Sequence, residues 1–340
     1  MENAIIEKDK WAVDIENLVV EYVTDDDVVK AVNGVNLKVG KGKTLGLVGE
    51  TGAGKTTAAL SILRLIPNPP GIIKEGKITL DGHNLFDYTE DEMDGIRGNK
   101  ASMIFQDPMT SLNPVITVGE QIAEGIQIHQ NLNKNDAMKR AEEMLELVGI
   151  QKERAMEYPH QFSGGMKQRV VIAIALSCNP QLLIADEPTT ALDVTIQAQV
   201  LELMKNLREK YNTSMIMITH DLGIVAEVCD EVSIMYTGKI VEQGNLEDIF
   251  ENTKHPYTEG LFNSLPNIED RKSMLKPIKG LMPDPTNLPK GCTFHPRCIY
   301  AKEICSQREP VVTKLSDTHY VCCLAYENTE VKMKVGEINE

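Results

Sequence analysis

No stretch of this chain is apolar for long enough to cross a bilayer. The longest apolar run, Val170 to Cys178, is broken by Ser177 and falls well short of the roughly 18 residues a spanning helix needs. A leader is missing as well. Met1-Glu2-Asn3-Ala4-Ile5-Ile6-Glu7 offers neither a basic n-region nor an apolar h-region. Together these absences predict a chain that stays in the cytosol and meets a membrane only by docking on it. Positive charge is scarce: 35 Lys and Arg face 50 Asp and Glu, a formal net charge of -15. That balance argues against the nucleic-acid backbone as the main partner. None of the seven cysteines falls in a C-x-x-C pair, the usual zinc pattern, and without an export signal disulfides are disfavoured. Internal repeats and low-complexity segments are also lacking. What remains is ordinary: 340 residues, 42% hydrophobic and 25% charged, the balance of a globular protein with a sizeable core.

Three tracts follow one another. From Trp11 to Val39, alternating apolar residues (Val13, Ile15, then Val32, Val35, Leu37) predict antiparallel strands with one wet face. From Thr44 to Gly244, short apolar runs alternate with helical patterns, the signature of a parallel α/β sheet. The runs are Leu45–Val48, Met103–Phe105, Leu182–Ala185, Met215–Ile218 and Val232–Met235. Between the second and third lies a mostly helical insertion. Its clearest helix takes Asp136 as cap, aligns Met138, Ala141, Leu145 and Val148, and stops at Gly149. Past Glu251 the periodicity fades, and Pro277, Pro283, Pro285 and Pro289 crowd in. Five of the seven cysteines lie between Cys292 and Cys323. This tract reads as a separate C-terminal extension with little regular structure. Cys178 and Cys229, alone in apolar surroundings, read as small core residues. The expected division is 1–254 for the main domain, with a helical subdomain at about 107–178, and 255–340 for the extension.

Gly49-Glu50-Thr51-Gly52-Ala53-Gly54-Lys55-Thr56 fits the phosphate-binding pattern G-x-x-x-x-G-K-[ST], with a strand before it and a helix after it. Glycines let the backbone curl so that N–H groups point at a phosphate, and the helix N-terminus adds partial positive charge. Lys55 then reaches the β- and γ-phosphates, and the Thr56 hydroxyl ligates Mg²⁺. Leu182-Leu183-Ile184-Ala185-Asp186-Glu187 is an apolar strand ending in two carboxylates, weak evidence alone but a Walker B segment after such a loop. Asp186 is expected to hold Mg²⁺ through water and Glu187 to polarise the attacking water. Neighbours on a strand point to opposite faces, so aiming both carboxylates at one nucleotide requires a turn at the strand's end.

Further segments in fixed order carry a resemblance to the ABC ATPase family. Phe162-Ser163-Gly164-Gly165-Met166 resembles the family's signature sequence, usually LSGGQ, with departures at Phe162 and Met166. Gln106 resembles the Q-loop glutamine, Ala191-Leu192-Asp193 the D-loop, and His220 the switch histidine; Tyr22 sits where the family places an aromatic on adenine. Any one of these has a bland structural reading. The resemblance implies a P-loop, RecA-like parallel-sheet core with an N-terminal antiparallel β subdomain, a helical insertion and the irregular Cys-containing extension. It implies that Gly49, Gly52, Gly54, Lys55, Thr56 and Thr57 hold ATP, with Gln106 joining Thr56 and Asp186 at Mg²⁺. It also implies that Ser163, Gly164, Gly165 and Asp193 meet ATP held by an opposing subunit, so that two nucleotides are sandwiched head to tail.

Ile104 to Pro114 closely resembles the Q-loop of oligopeptide and dipeptide importer ATPases, and His255-Pro256-Tyr257-Thr258 opens an extension similar to theirs. It runs on through Cys292-Thr293-Phe294-His295-Pro296-Arg297-Cys298, Cys305 and His319-Tyr320-Val321-Cys322-Cys323. Phe162 and Met166 are typical of the D-type subunit. The implied partners are a second, F-type ATPase, two membrane permeases and, indirectly, an extracellular solute-binding protein, at the cytoplasmic face of the membrane. Zinc (with His295 and His319), disulfides and free thiols compete for the cysteines. Family members carrying a [4Fe–4S] cluster favour Cys292, Cys298, Cys305 and Cys323 as its ligands, with Cys322 an alternative to Cys323. Import of nickel, oligosaccharide or another solute, and a soluble non-transport ABC ATPase, remain as alternative functions.

Overall fold

The computed structural model describes residues 10–190, 192–264 and 277–327. The Met1–Glu7 stretch read for a leader and Ala191 of the D-loop lie outside them. The first elements are β1 (Trp11–Val23), β2 (Val28–Gly40), β3 (Thr44–Val48), α1 (Lys55–Ile62), β4 (Gly71–Leu80), β5 (His83–Asn84), α2 (Glu90–Asp94) and β6 (Ala101–Ile104). A helical stretch follows, with α3 (Pro108–Ser111), α4 (Val118–Gln130), α5 (Lys134–Leu147) and α6 (Gly164–Leu176). Then come β7 (Leu182–Asp186), α7 (Val194–Tyr211), β8 (Ser214–Thr219), α8 (Leu222–Val228), β9 (Glu231–Tyr236) and β10 (Lys239–Asn245). Helix α9 (Leu246–Phe250) closes the main domain, and the extension contributes α10 (Pro256–Asn263), α11 (Glu303–Gln307), β11 (Thr313–Lys314) and β12 (Tyr320–Val321).

Two sheets organise the chain. An antiparallel sheet runs β2-β1-β4-β5, and a larger one runs β11-β12-β10-β9-β3-β8-β7-β6. Within the larger sheet β9, β3, β8, β7 and β6 are parallel. These strands read as unbroken apolar runs because both of their faces are covered. Their alternation survives in what each residue meets. Leu183, Ala185, Met215 and Met217 join the core formed with the helices, whereas Leu182, Ile184, Ile216 and Ile218 join the core shared with the antiparallel sheet and α1. Along β1 the buried set changes phase from Val13 and Ile15 to Leu18 and Val20, because the register slips between Ile15 and Leu18.

Sequence signals and structure part company at two places. Helix α5 begins a turn earlier than expected: Asn133, not Asp136, is its cap, accepting from the backbone N–H of Asn135 and Asp136. Asp136 sits in the first turn and accepts from Asn133 Nδ2 at 2.7 Å, so the acid supports the cap rather than forming it. Gly149 does end the helix with φ 74°. The second difference is β4, whose ten residues carry too few regularly spaced apolar side chains to announce a strand.

The extension is mostly irregular, as its prolines predict, but it is built onto the main body. Strand β12 pairs with β10 through Glu242–Val321 and Gln243–Tyr320. Phe294 packs against both Tyr236 and Tyr257, at centroid separations of 5.2 and 5.4 Å, while those two rings also touch each other at 4.6 Å; Phe294 is 3% exposed. Phe294→Ala is expected to lower global stability by about 3–5 kcal/mol, the usual cost of emptying an aromatic site. Chemical denaturation would read this as one shifted transition. A change too small to resolve would show that the extension does not share the core.

Candidate functional site

The candidate site lies at the C-terminal ends of the parallel strands, where ligands gather in open α/β sheets. The loop after β3 leads into α1, whose cap is Gly54 with φ 100° and no side-chain cap. A Cβ at Gly54 would fall 2.2 Å from Ala31 O, and one at Gly49 2.2 Å from Met235 O. Neither position admits a side chain, and the free N–H groups of α1 stay open to an anion. Lys55 is 7% exposed and donates from Nζ to Gly49 O at 2.7 Å and Glu50 O at 3.0 Å. Burial lowers its pKa against the opposing pull of Glu187, Asp186 and Glu50.

Register brings the acids to this loop. Val48 of β3 pairs with Thr219 of β8, and Asp186 of β7 with Ile218. Thr56 Oγ1 donates to Asp186 Oδ2 at 2.8 Å. Burial pushes the Asp186 carboxyl up, partly offset by that hydrogen bond. Glu187 follows with φ 45°, a left-handed conformation that costs an ordinary residue roughly 1–3 kcal/mol. This is the turn that the paired carboxylates require. Its backbone N–H donates to Ile218 O at 2.9 Å, which holds the turn in place.

Three side chains converge on the Glu187 carboxylate. Gln106 Nε2 donates to Oε2 at 2.8 Å and Thr190 Oγ1 to the same oxygen at 3.0 Å. His220 Nδ1 lies 2.9 Å from Oε1, and since a carboxylate only accepts, that nitrogen carries the proton. Burial raises the Glu187 pKa, but the hydrogen bonds and charge of His220, with the Thr190 bond, outweigh it and leave the acid below its ordinary range. Glu187 is thus a carboxylate, aimed and held. The sequence reading missed Thr190, for which a hydroxyl three residues beyond the acid was the available signal.

Other predicted residues fall into separate groups. Tyr22 OH and Thr57 Oγ1 are 3.3 Å apart, so the aromatic stands beside α1. Ser163 caps α6, accepting from Met166 N at 3.4 Å, and Asp193 caps α7, accepting from Ile196 N at 3.0 Å. Ser163 and Gly164 are exposed, a Cβ on Gly164 would meet nothing within 4 Å, and Gly165 lies against Ile196. Cys178 and Cys229 are buried.

All seven cysteines are free thiols. Burial raises the pKa of Cys292, with the charge of Cys305 adding to it. Burial pushes Cys298 to about 12, with Cys292 and Cys305 adding to it. Cys323 also reaches about 12, from burial and then from Cys292, Cys298 and Cys305. These four thiols are therefore close enough to feel one another's charge. Cys322 is raised too, to about 11, by burial and then by the charge of Cys292, and it donates from Sγ to Pro310 O at 3.3 Å. Among the described residues, no three His, Cys, Asp or Glu side chains gather closely enough to hold a metal ion. The histidines considered for zinc are engaged elsewhere: His295 Nδ1 with Cys292 O and His319 Nε2 with Glu242 Oε1, each at 2.9 Å.

Comparison with known proteins accounts for both halves of the chain. Residues 32–190 match the family model described as ABC transporter, and residues 241–305 match the oligopeptide/dipeptide transporter C-terminal region. The oligopeptide transport ATP-binding protein OppD of Bacillus subtilis is 52% identical, over 91% of this chain and 87% of its own. AppD of the same organism, also named an oligopeptide transport ATP-binding protein, is 51% identical over 92% and 96%. Among solved structures, a dimeric ATP-binding cassette bound to ADP and Pi aligns with TM-score 0.62 and 28% identity, covering 69% of this chain and 98% of that one. No helix among the described residues is long and apolar enough to cross a membrane. The cassette with its signature-bearing helix, followed by this C-terminal region, assigns the chain to the ABC transporter family, among the ATP-binding subunits of oligopeptide and dipeptide transporters.

Proposed function

We propose that the chain hydrolyses ATP at a site completed by a second ATPase subunit, and that the resulting closure drives peptide import through membrane permeases. The observation that carries this reading is the Glu187 carboxylate, held by Gln106, Thr190 and His220 beside the phosphate-binding loop. A carboxylate so fixed is suited to orient a water in line with a γ-phosphate and draw on its proton. His220 and Gln106 position the acid. Lys55 would leave the loop carbonyls for the β- and γ-phosphates, and the α1 N–H groups would receive the β-phosphate. Thr56 Oγ1 and Asp186, already paired, are hard oxygen donors suited to Mg²⁺ with Gln106 beside them. The ion, when bound, neutralises charge on the β- and γ-oxygens. Tyr22, beside Thr57, would pack on the adenine.

Ser163 and Gly164, both exposed and the latter with open space before it, suit contact with a γ-phosphate held by another subunit, with Gly165 and Asp193 alongside. An F-type ATPase as that partner, two permeases, an extracellular solute-binding protein and a place on the cytoplasmic face of the membrane complete the reading. Nucleic acid has no part in it. Peptide is favoured over nickel or oligosaccharide because the relatives are named for oligopeptide transport.

We further infer that Cys292, Cys298, Cys305 and Cys323 hold a [4Fe–4S] cluster. Their donor chemistry suits the group, an all-sulfur set whose protons are retained chiefly because burial disfavours thiolate charge, with mutual repulsion adding to it, although among the described residues no three are gathered closely enough to hold a metal ion as they stand. A cluster bound there would take the place of those protons and would pin a tail too small to bury a core of its own. Cys322, turned to Pro310 O, is left out.

Glu187→Gln is expected to keep ATP affinity while steady-state hydrolysis falls by about 10²–10⁴-fold; undiminished turnover would remove Glu187 from this role. Lys55→Ala should weaken nucleotide binding in an equilibrium titration, and unchanged affinity would count against the loop. Protein purified without oxygen should absorb near 400 nm and contain about four irons and four sulfides per chain, both lost in Cys298→Ser. Zinc, or no metal, would overturn the cluster.

A further inference from the structure

The C-terminal extension reaches the phosphate-binding loop at two positions, Glu50 and Gly52. Arg297 Nη1 donates to Glu50 Oε2 at 3.0 Å. Tyr257 OH accepts from the Glu50 backbone N–H at 2.9 Å. Met282 approaches Gly52 so closely that a Cβ there would lie 2.8 Å from its Cε. Arg297 is itself tightly placed: Nε donates to Lys279 O at 3.2 Å, Nη1 lies 3.4 Å from Tyr236 OH, and its side chain is 6% exposed. The loop's own acid is the puzzle this resolves. Glu50 is the second residue of a loop whose ligand is polyanionic, and its charge is felt at Lys55, after burial and the charges of Glu187 and Asp186. Left unpaired, it would repel the phosphates that the loop collects. A buried, hydrogen-bonded guanidinium both neutralises that carboxylate and holds it in one place.

We propose that Arg297 is a positioning residue for nucleotide binding, which screens Glu50 and keeps its carboxylate turned from the phosphates. Through it the extension becomes part of the ATP site rather than an appendage to it. This rests on the P-loop reading, which the wild-type titration tests by itself. The affinity of the full-length protein for fluorescent ATP and ADP analogues, with Mg²⁺, would be compared across variants. Arg297→Gln should weaken ATP binding about tenfold, within the usual range of site coupling, and ADP binding less, because ADP carries less charge. Adding Glu50→Gln to Arg297→Gln should restore affinity to within about threefold of wild type, since a neutral side chain needs no screening, and Arg297→Lys, which keeps the charge but not the fork, should fall between Arg297→Gln and wild type. A structural role alone would cost ATP and ADP equally, and the double variant would be no better than the single. Either of those results, or Arg297→Gln binding ATP as wild type does, overturns the proposal. Should Arg297→Gln fail to fold, Glu50→Gln decides: binding at least as tight as wild type supports screening, and weaker binding overturns it. Wild-type protein that does not bind ATP would instead refute the P-loop reading itself.

Discussion

Backbone pairing of β3 with β8, and of β8 with β7, is the constraint from which the site hangs. It sets Val48, Thr219 and Asp186 along one rim, so the phosphate-binding loop, the paired acids and His220 emerge side by side. Hydrophobic burial on both faces of the sheet keeps that rim flat against its surroundings, since residues on either side of each strand are committed to a different core. A one-residue slip of β7 would exchange those two sets of side chains and would carry Asp186 away from Thr56. Packing far from the nucleotide therefore enforces alignment at the nucleotide.

The parallel strands were legible in the sequence as apolar runs, and four of the five lead to a chemically marked residue, Gly49, Gln106, Glu187 or His220. Less legible was whatever depends on contacts distant along the chain. Nothing local to Gly71–Leu80 marks it as a strand; it is one because β1 offers an edge. The start of α5 was misplaced because Asn133 and Asp136 are both plausible caps, and only the backbone conformation at Asn133 decides between them.

Function was legible where a motif is contiguous and hidden where it is assembled. Lys55, Thr56, Asp186 and Glu187 stand in recognisable strings. Arg297 and Tyr257 also stand in recognisable strings, but of a different motif, and their hold on Glu50 bridges more than 200 residues of chain. The extension thus has two attachments of different kinds. Aromatic packing around Phe294 and strand pairing at β12 fasten it to the body, whereas the ionic contact touches the loop that carries the chemistry.

The crowding on Glu187 has a stereochemical consequence. A carboxylate offers about four lone-pair directions. Gln106 and Thr190 take two on Oε2, and His220 takes one on Oε1. A single direction is left over, and it belongs to the oxygen on the histidine side. A further donor to this acid would therefore meet it from the histidine side, so the acceptor's own geometry, and not only the loop beside it, favours one line of approach.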